Sequence, residues 1–330
     1  MHKTELFTLL PEYVCTPDGM EIDAGGNLIL SCPNYADRSL PGCLVKIDKN
    51  KRIKKWVDVP PSKEAGEARP MGIAFGPDGD IYICDNVGWL GDPDLQFKGR
   101  IVRLRIIDDK LVKTTVVAKG MEHPNGIRIR GNYMYVTQSM LSKVKDPNGL
   151  LLSCVYRFAL DDEDIDISNT LEDKNIFTTF ITLNKACQYG ADGIVFDNEG
   201  NLLVGNFGDG AVHKITFNTD GSVRNNEVWA KDPEQLKSTD GMIVDEKGNI
   251  YIADFSANAI AQINKEGKVT RVAQSPDTDG FHGELDQPGE PIIWRGKLVI
   301  SCFDLVTDPD KVNTKHEMPA TMAELDISKL

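Results

Sequence analysis

Five oxygen-bearing side chains in this 330-residue chain, those of Asp18, Asn125, Asp192, Asp240 and Glu290, each lead a copy of one short phrase. The copies read DGMEIDAGGNLILSC from Asp18, MGIAFGPDGDIYICDN from Met71 and NGIRIRGNYMYVTQS from Asn125. They continue as DGIVFDNEGNLLVGNF from Asp192, DGMIVDEKGNIYIADF from Asp240 and EPIIWRGKLVISCF from Glu290. If the phrases are gathered around an axis, four carboxylates and one amide surround a point. Like charges that close are unfavourable unless a cation neutralises them or some take up protons. Ligands that are all oxygen suit calcium, which accepts about six to eight of them in flexible geometry. Zinc would favour His or Cys, and neither stands at these positions. Asp-Gly and Asn-Gly are also common turn dipeptides. Register favours a functional reading: the polar residue holds the same place in five copies, while the turn inside each phrase carries its own Gly, Asn or Asp.

The elements that would gather these residues follow from the spacing. First residues lie 53, 54, 67, 48 and 50 apart, and a period near fifty marks an array of similar units. Each phrase is an alternating apolar run, a Gly/Asn/Asp turn and a second alternating run, which is a β-hairpin. Third strands are expected at residues 43–47, 100–104, 211–215 and 257–261, and fourth strands at 54–57, 114–117, 227–230 and 269–272. The fold class is therefore all-β: a six-bladed β-propeller with four antiparallel strands per blade, forming a single domain over residues 1–330. The sixth blade is a strand short, and Glu5–Leu10 is expected to close the ring and cover its edge. No helix is compelling, and the acidic run 161–173 reads as a loop of an enlarged third blade. Second strands end at Asn34, Asn86, Ser139, Asn206, Asp254 and Asp304, which would form an outer polar ring. Trp89, Phe207 and Phe255, with Tyr35 and Phe303, lie near the same ends and could wall an apolar pocket. His123 and His282 are the histidines expected to face the mouth, as substrate-binding or proton-shuttling groups or as structural ones. The loops 87–92 and 39–42 are candidate lids.

Composition narrows the partners. A net charge of −13 argues against nucleic acid, which needs clustered Lys and Arg. The expected partner is a small molecule, and the sequence leaves the oligomeric state open. Seven cysteines without a CxxC pair read as small core residues in a reducing compartment. No run approaches the length of a membrane span, and MHKTELFTLL does not read as a signal peptide. A cytoplasmic protein is expected.

HPNGIRI (123–129) and YGADGIVFDNEGNLLVGNFG (189–208) resemble blade starts of the senescence marker protein/gluconolactonase/luciferin-regenerating enzyme family. The resemblance spans all six blades and extends to the related calcium-dependent lactonases and diisopropylfluorophosphatase. It implies a catalytic Ca2+ at the channel mouth, held by one Glu and several Asn or Asp, and hydrolysis of lactones or organophosphates. Carried over in chain order, Asp18 stands at the family's Glu, Met71 at a position without a ligand, and Asn125, Asp192 and Asp240 at the Asn/Asp ligands. A shifted register, aligning GEPIIW with the family's GEGPVW, makes Glu290 the Glu ligand instead. Asn125 and Asp192 are ligands in both registers.

The resemblance implies a calcium-dependent hydrolase that opens a lactone or related cyclic ester. Asp240 is the first candidate for nucleophile or general base, and Asp192 the second. Two alternatives stand beside it: a non-catalytic propeller with a structural metal, and a metal-free strictosidine synthase-like propeller using Glu290. A GxSxG nucleophile elbow is absent from the sequence.

Overall fold

The computed structural model describes residues 1–307 and 311–330. The chain forms six antiparallel sheets arranged as a six-bladed β-propeller. The innermost strands are Met20–Ile22, Pro70–Phe75, Pro124–Arg130, Ala191–Phe196, Met242–Val244 and Pro288–Trp294. They touch one another in succession around the axis. Three inner hairpins close through the same brace, in which an Asp carboxylate accepts the backbone N–H of an Asn four residues on. The pairs are Asp23–Asn27, Asp197–Asn201 and Asp245–Asn249, each at 2.8 Å. Between them Gly26, Gly200 and Gly248 take positive φ, which glycine adopts without steric cost.

The ring closes as the sequence predicts. Glu5–Leu9 pairs antiparallel with Thr321–Leu325 and becomes the outermost strand of blade six. One expectation differs. Ile165–Asp166, read as part of a third-blade loop, adds in parallel to Lys110–Met121 as a fifth strand of blade two. The only helices among the described residues are short 3-10 turns at Phe207–Asp209, Phe255–Ala257 and Ile327–Lys329. Apolar clusters fill the spaces between blades. One joins Val195, Leu203 and Val212 of blade four to Met242, Ile252 and Ala261 of blade five. None of the seven cysteines is in a disulfide, and six are buried. No helix among the described residues is long and apolar enough to cross a membrane.

The glycine after each ring residue is not a turn glycine. Gly19, Gly72, Gly126, Gly193 and Gly241 lack positive φ. Instead, a Cβ at Gly19, Gly72, Gly126 or Gly193 would stand 2.6, 2.4, 2.8 or 1.9 Å from the carbonyl oxygen of Met71, Asn125, Asp192 or Asp240. These glycines thus mark where neighbouring inner strands approach too closely to admit a side chain.

Candidate functional site

Asp18, Asn125, Asp192 and Asp240 converge at one end of the channel, on the floor of a chamber of about 210 Å³. Met71 fills the second-blade position there. Ring backbones are held from the preceding blade. Ser31 donates to Met71 O, Thr137 Oγ1 to Asp192 O at 2.7 Å, and Ser301 Oγ to Asp18 O at 2.7 Å.

Blade six departs from the repeat by one residue. In blade four, Asp192 and Gly193 lie between the pairs Ala191↔Asn206 and Ile194↔Val204. In blade six, Gly289 and Glu290 occupy the same interval, between Pro288↔Cys302 and Pro291↔Ile300. Gly289, not Glu290, is therefore the sixth ring residue. A Cβ on Gly289 would lie 3.1 Å from Asp18 Oδ1, so the Asp18 carboxylate leans over the space that blade six leaves open. Glu290 projects into the channel beneath the ring, where Arg128 Nη2 donates to its Oε1 at 2.7 Å. Arg128 comes from blade three and also reaches Met242 O. This pair crosses the axis and leaves about 10 Å³ below the ring, room for no more than about one water. The chamber is blind.

The ring carboxylates are electrostatically exposed to one another. Burial raises Asp18 to about 8, and Glu290 adds to the shift. Burial also holds Asp192 and Asp240 well above the usual carboxylate range, reinforced by Asp18 and Glu290 and, for Asp240, by Asp192. Asp240 Oδ1 accepts its own Gly241 N–H at 2.9 Å. No basic side chain among the described residues pairs with Asp18, Asp192 or Asp240. This oxygen set fits a hard divalent cation. The oxygens of Asp18, Asp192 and Asp240 are spread more widely than those of the acid triplet Asp286–Asp304–Glu317, which among the described residues do lie within 4.8 Å of one another.

That triplet lies outside the ring and is tied to its own loop. Asp304 accepts from Asn313 Nδ2 and Glu317 N, and His316 Nδ1 stands 3.1 Å from it. Burial, then Asp304 and Glu317, push Asp286 from 3.8 to about 8. The folded state thus keeps a proton that the unfolded chain releases near pH 4. The associated stability is complete below that pH and is lost as pH rises toward about 8. His316, raised by the same Asp304, acts in the same direction. In EDTA, the melting temperature is expected to fall between pH 5 and 8.5, and Asp286→Asn to flatten that fall. An unchanged slope in the variant would contradict this assignment.

Above the ring, aromatic rings touch in an open collar. Centroid separations are 5.0 Å for Tyr35–Trp89, 5.3 Å for Trp89–Phe303 and 5.7 Å for Phe303–Phe255. They continue at 5.8 Å for Phe255–Phe207, 6.1 Å for Phe207–Tyr189 and 5.7 Å for Tyr189–His123. Phe207, Phe255 and Phe303 each directly follow the second strand of their blade. His123 lies between collar and ring; it is buried, neither ring nitrogen has a hydrogen-bond partner, and burial lowers it to about 4. It is neutral near pH 7.

Of the predicted site residues, the structure brings Asp18, Asn125, Asp192, Asp240, His123, Trp89, Phe207 and Phe255 to one chamber. His282 is not among them. It is exposed beside Gly283, whose position packs against Glu5 and Leu6 at the outer edge of blade six. Of the expected outer ring, Asn86 and Ser139 are buried with side-chain polar atoms that have no hydrogen-bond partner, whereas three others are committed to their surroundings. Asn34 binds Cys15 N and the carbonyls of Tyr13 and Pro41, Asn206 binds Ile181 O and Thr182, and Asp254 accepts from Lys237 N and Ser238 N. These side chains clamp the connections between blades. Sequence reasoning missed Tyr189, the chamber segment Leu305–Thr307 with Lys311, and Arg128. Arg128 had a signal, as a charge within an apolar inner strand.

The fold and ring define a six-bladed propeller with an acidic floor in a blind chamber. The resemblance read from the blade starts is matched independently: the family described as SMP-30/Gluconolactonase/LRE-like region matches residues 211–280. No curated protein matches the chain by sequence. A gluconolactonase from Xanthomonas campestris is 13% identical, with 98% of this chain and 95% of that one covered and a TM-score of 0.59. The calcium-binding protein regucalcin from Agrobacterium tumefaciens is 13% identical, with 98% and 93% covered and a TM-score of 0.60. Virginiamycin B lyase from Staphylococcus aureus is 14% identical, with 98% and 99% covered and a TM-score of 0.53. At such identities the likeness establishes the six-bladed propeller fold alone.

Proposed function

We propose that this protein is a calcium-dependent hydrolase that opens a lactone or related cyclic ester in the chamber. The observation that carries this reading is the floor itself: three carboxylates and an amide converge there without a basic partner. Asp18, Asn125, Asp192 and Asp240 would hold the ion, with Glu290 adding charge from below while Arg128 fixes its Oε1. When bound, calcium supplies Lewis acidity at a carbonyl oxygen and the positive charge that keeps these carboxylates ionised.

The residues then divide the work. Asp240 either takes a proton from an attacking water or attacks the acyl carbon itself, with Asp192 as the second candidate. The acyl carbon–ring oxygen bond breaks, a bond to the water oxygen forms, and the departing ring oxygen receives a proton. The net product is the hydroxy acid. His123, neutral and without a hydrogen-bond partner, can present one donor and one acceptor to the ester. The apolar walls keep bulk water from the floor, which strengthens each electrostatic contact there.

Binding to the folded state alone stabilises it by about 2.7 kcal/mol at about a hundredfold excess over the dissociation constant. Calcium is therefore expected to raise the melting temperature and EDTA to lower it, with lactone hydrolysis lost in EDTA and restored by calcium. A melting curve indifferent to both would remove the metal from the site. A calcium-dependent shift with no turnover of any lactone would favour a binding propeller.

A further inference from the structure

We infer that the chamber takes an apolar, ring-bearing lactone or ester, of the aryl or alkyl-substituted class, and discriminates against polyhydroxylated sugar lactones. This rests on the hydrolytic reading above and adds the chemical class of the substrate.

The walls carry the argument. Six ring side chains, Trp89, Phe303, Phe255, Phe207, Tyr189 and His123, line the chamber and follow one another at centroid separations of 5.3 to 6.1 Å. Leu90, Leu305, Val306 and Met71 fill the gaps. Apart from the ring, the polar side chains among the described residues that line the chamber are His123, Thr307, Lys311 and, through one polar atom each, Tyr189 and Trp89. A sugar lactone would bring a hydroxyl on nearly every ring carbon into this enclosure. Each hydroxyl buried without a partner lowers affinity by roughly tenfold. An aromatic ring meets the opposite conditions, because tilted and edge-on contacts between rings are favourable at these separations.

Size agrees with the chemistry. An apolar cavity of about 150 Å³ accepts one benzene ring. A chamber of about 210 Å³ leaves room for a lactone fused to such a ring. The polar requirement is also met. A lactone presents only acceptors, at its carbonyl and ring oxygens, and His123 supplies the donor beside the floor.

The test uses the calcium-loaded full chain. The kcat/KM of dihydrocoumarin is compared with that of glucono-δ-lactone. Binding of the two corresponding lactams, which resist ester hydrolysis, is followed by quenching of Trp89 fluorescence, with Trp89→Phe as the blank. A preference of about a hundredfold or more for the aryl lactone and its lactam is expected. Phe255→Ser and the milder Phe255→Leu should each weaken the aryl lactam, by about tenfold or more for Ser. Tyr189→Ser, at the half-buried rim, provides a variant less demanding on folding, and the calcium-induced melting shift checks that each variant is folded. Equal or better handling of the sugar lactone, or no aryl lactam binding, overturns the inference. Aryl lactam binding without turnover of either lactone retains the ligand class and sinks the hydrolase reading instead. Turnover of both lactones at similar rates does the reverse.

Discussion

Asp240→Asn is expected to lower kcat/KM for the preferred lactone by about a hundredfold or more, the usual scale for losing a general base or nucleophile. Calcium affinity should fall much less. Asn keeps a carbonyl oxygen for the ion, and an amide, that of Asn125, already stands in the same ring. What Asn lacks is charge and basicity. Asp192→Asn should show the opposite balance if Asp192 is chiefly a ligand: a larger loss of calcium affinity and a smaller loss of rate at saturating calcium. Calcium titration by calorimetry, beside turnover at saturating ion, separates the two. Full activity in Asp240→Asn would remove the residue from the chemistry, whatever its place in the ring.

Gly193→Ala is expected to be the most disruptive small substitution near the site. Its Cβ would lie 1.9 Å from Asp240 O and 2.9 Å from the carbonyl carbon, and neither is the end of a flexible side chain. Overpacking typically destabilises by about 1–3 kcal/mol and sometimes more, and a backbone clash belongs at the upper end. Gly79→Ala is the comparison. Gly79 has φ of 82°, but a Cβ there would meet nothing within 4 Å, so only the left-handed conformation is penalised, by about 1–2 kcal/mol. Chemical denaturation should place Gly193→Ala well below Gly79→Ala. Gly193→Ala should also weaken calcium binding, because relief of the clash must move the Asp240 backbone. A variant as stable as the wild type would show that neighbouring inner strands are not packed as closely as described.

Both predictions depend on the same arrangement. The backbones of Met71, Asn125, Asp192 and Asp240 are packed by a glycine of the preceding blade, and those of Asp18, Met71 and Asp192 accept a hydroxyl hydrogen bond from it. The ring carboxylates line the chamber, Asp240 Oδ1 accepting the Gly241 N–H, and they raise one another's proton affinity. Rigid backbone placement of these side chains is what the proposed cation site would require.

The periodic part of the chain was legible from the sequence alone. Six hairpin phrases fixed the blade count, the turn residues and the closing strand Glu5–Leu9. The common phrase position picked out Asp18, Asn125, Asp192 and Asp240, because equivalent positions in a closed ring must converge. Phe207, Phe255 and Phe303 were legible for the same reason, as residues at the ends of second strands. Interactions across the axis were not legible. A one-residue change of register exchanges the residue at the ring for its neighbour, and the phrase beginning at Glu290 does not reveal that Gly289 takes the ring place. That choice is made where the Asp18 carboxylate occupies the space above Gly289. Arg128 finds Glu290 from a distant blade, the loop of His282 docks on the first strand, and Asn34, Asn206 and Asp254 turn away to clamp backbone. Local periodicity records which face of a strand is buried. It carries no record of charges and loops that meet only after the ring has closed, and these decided the depth, the walls and the charge of the site.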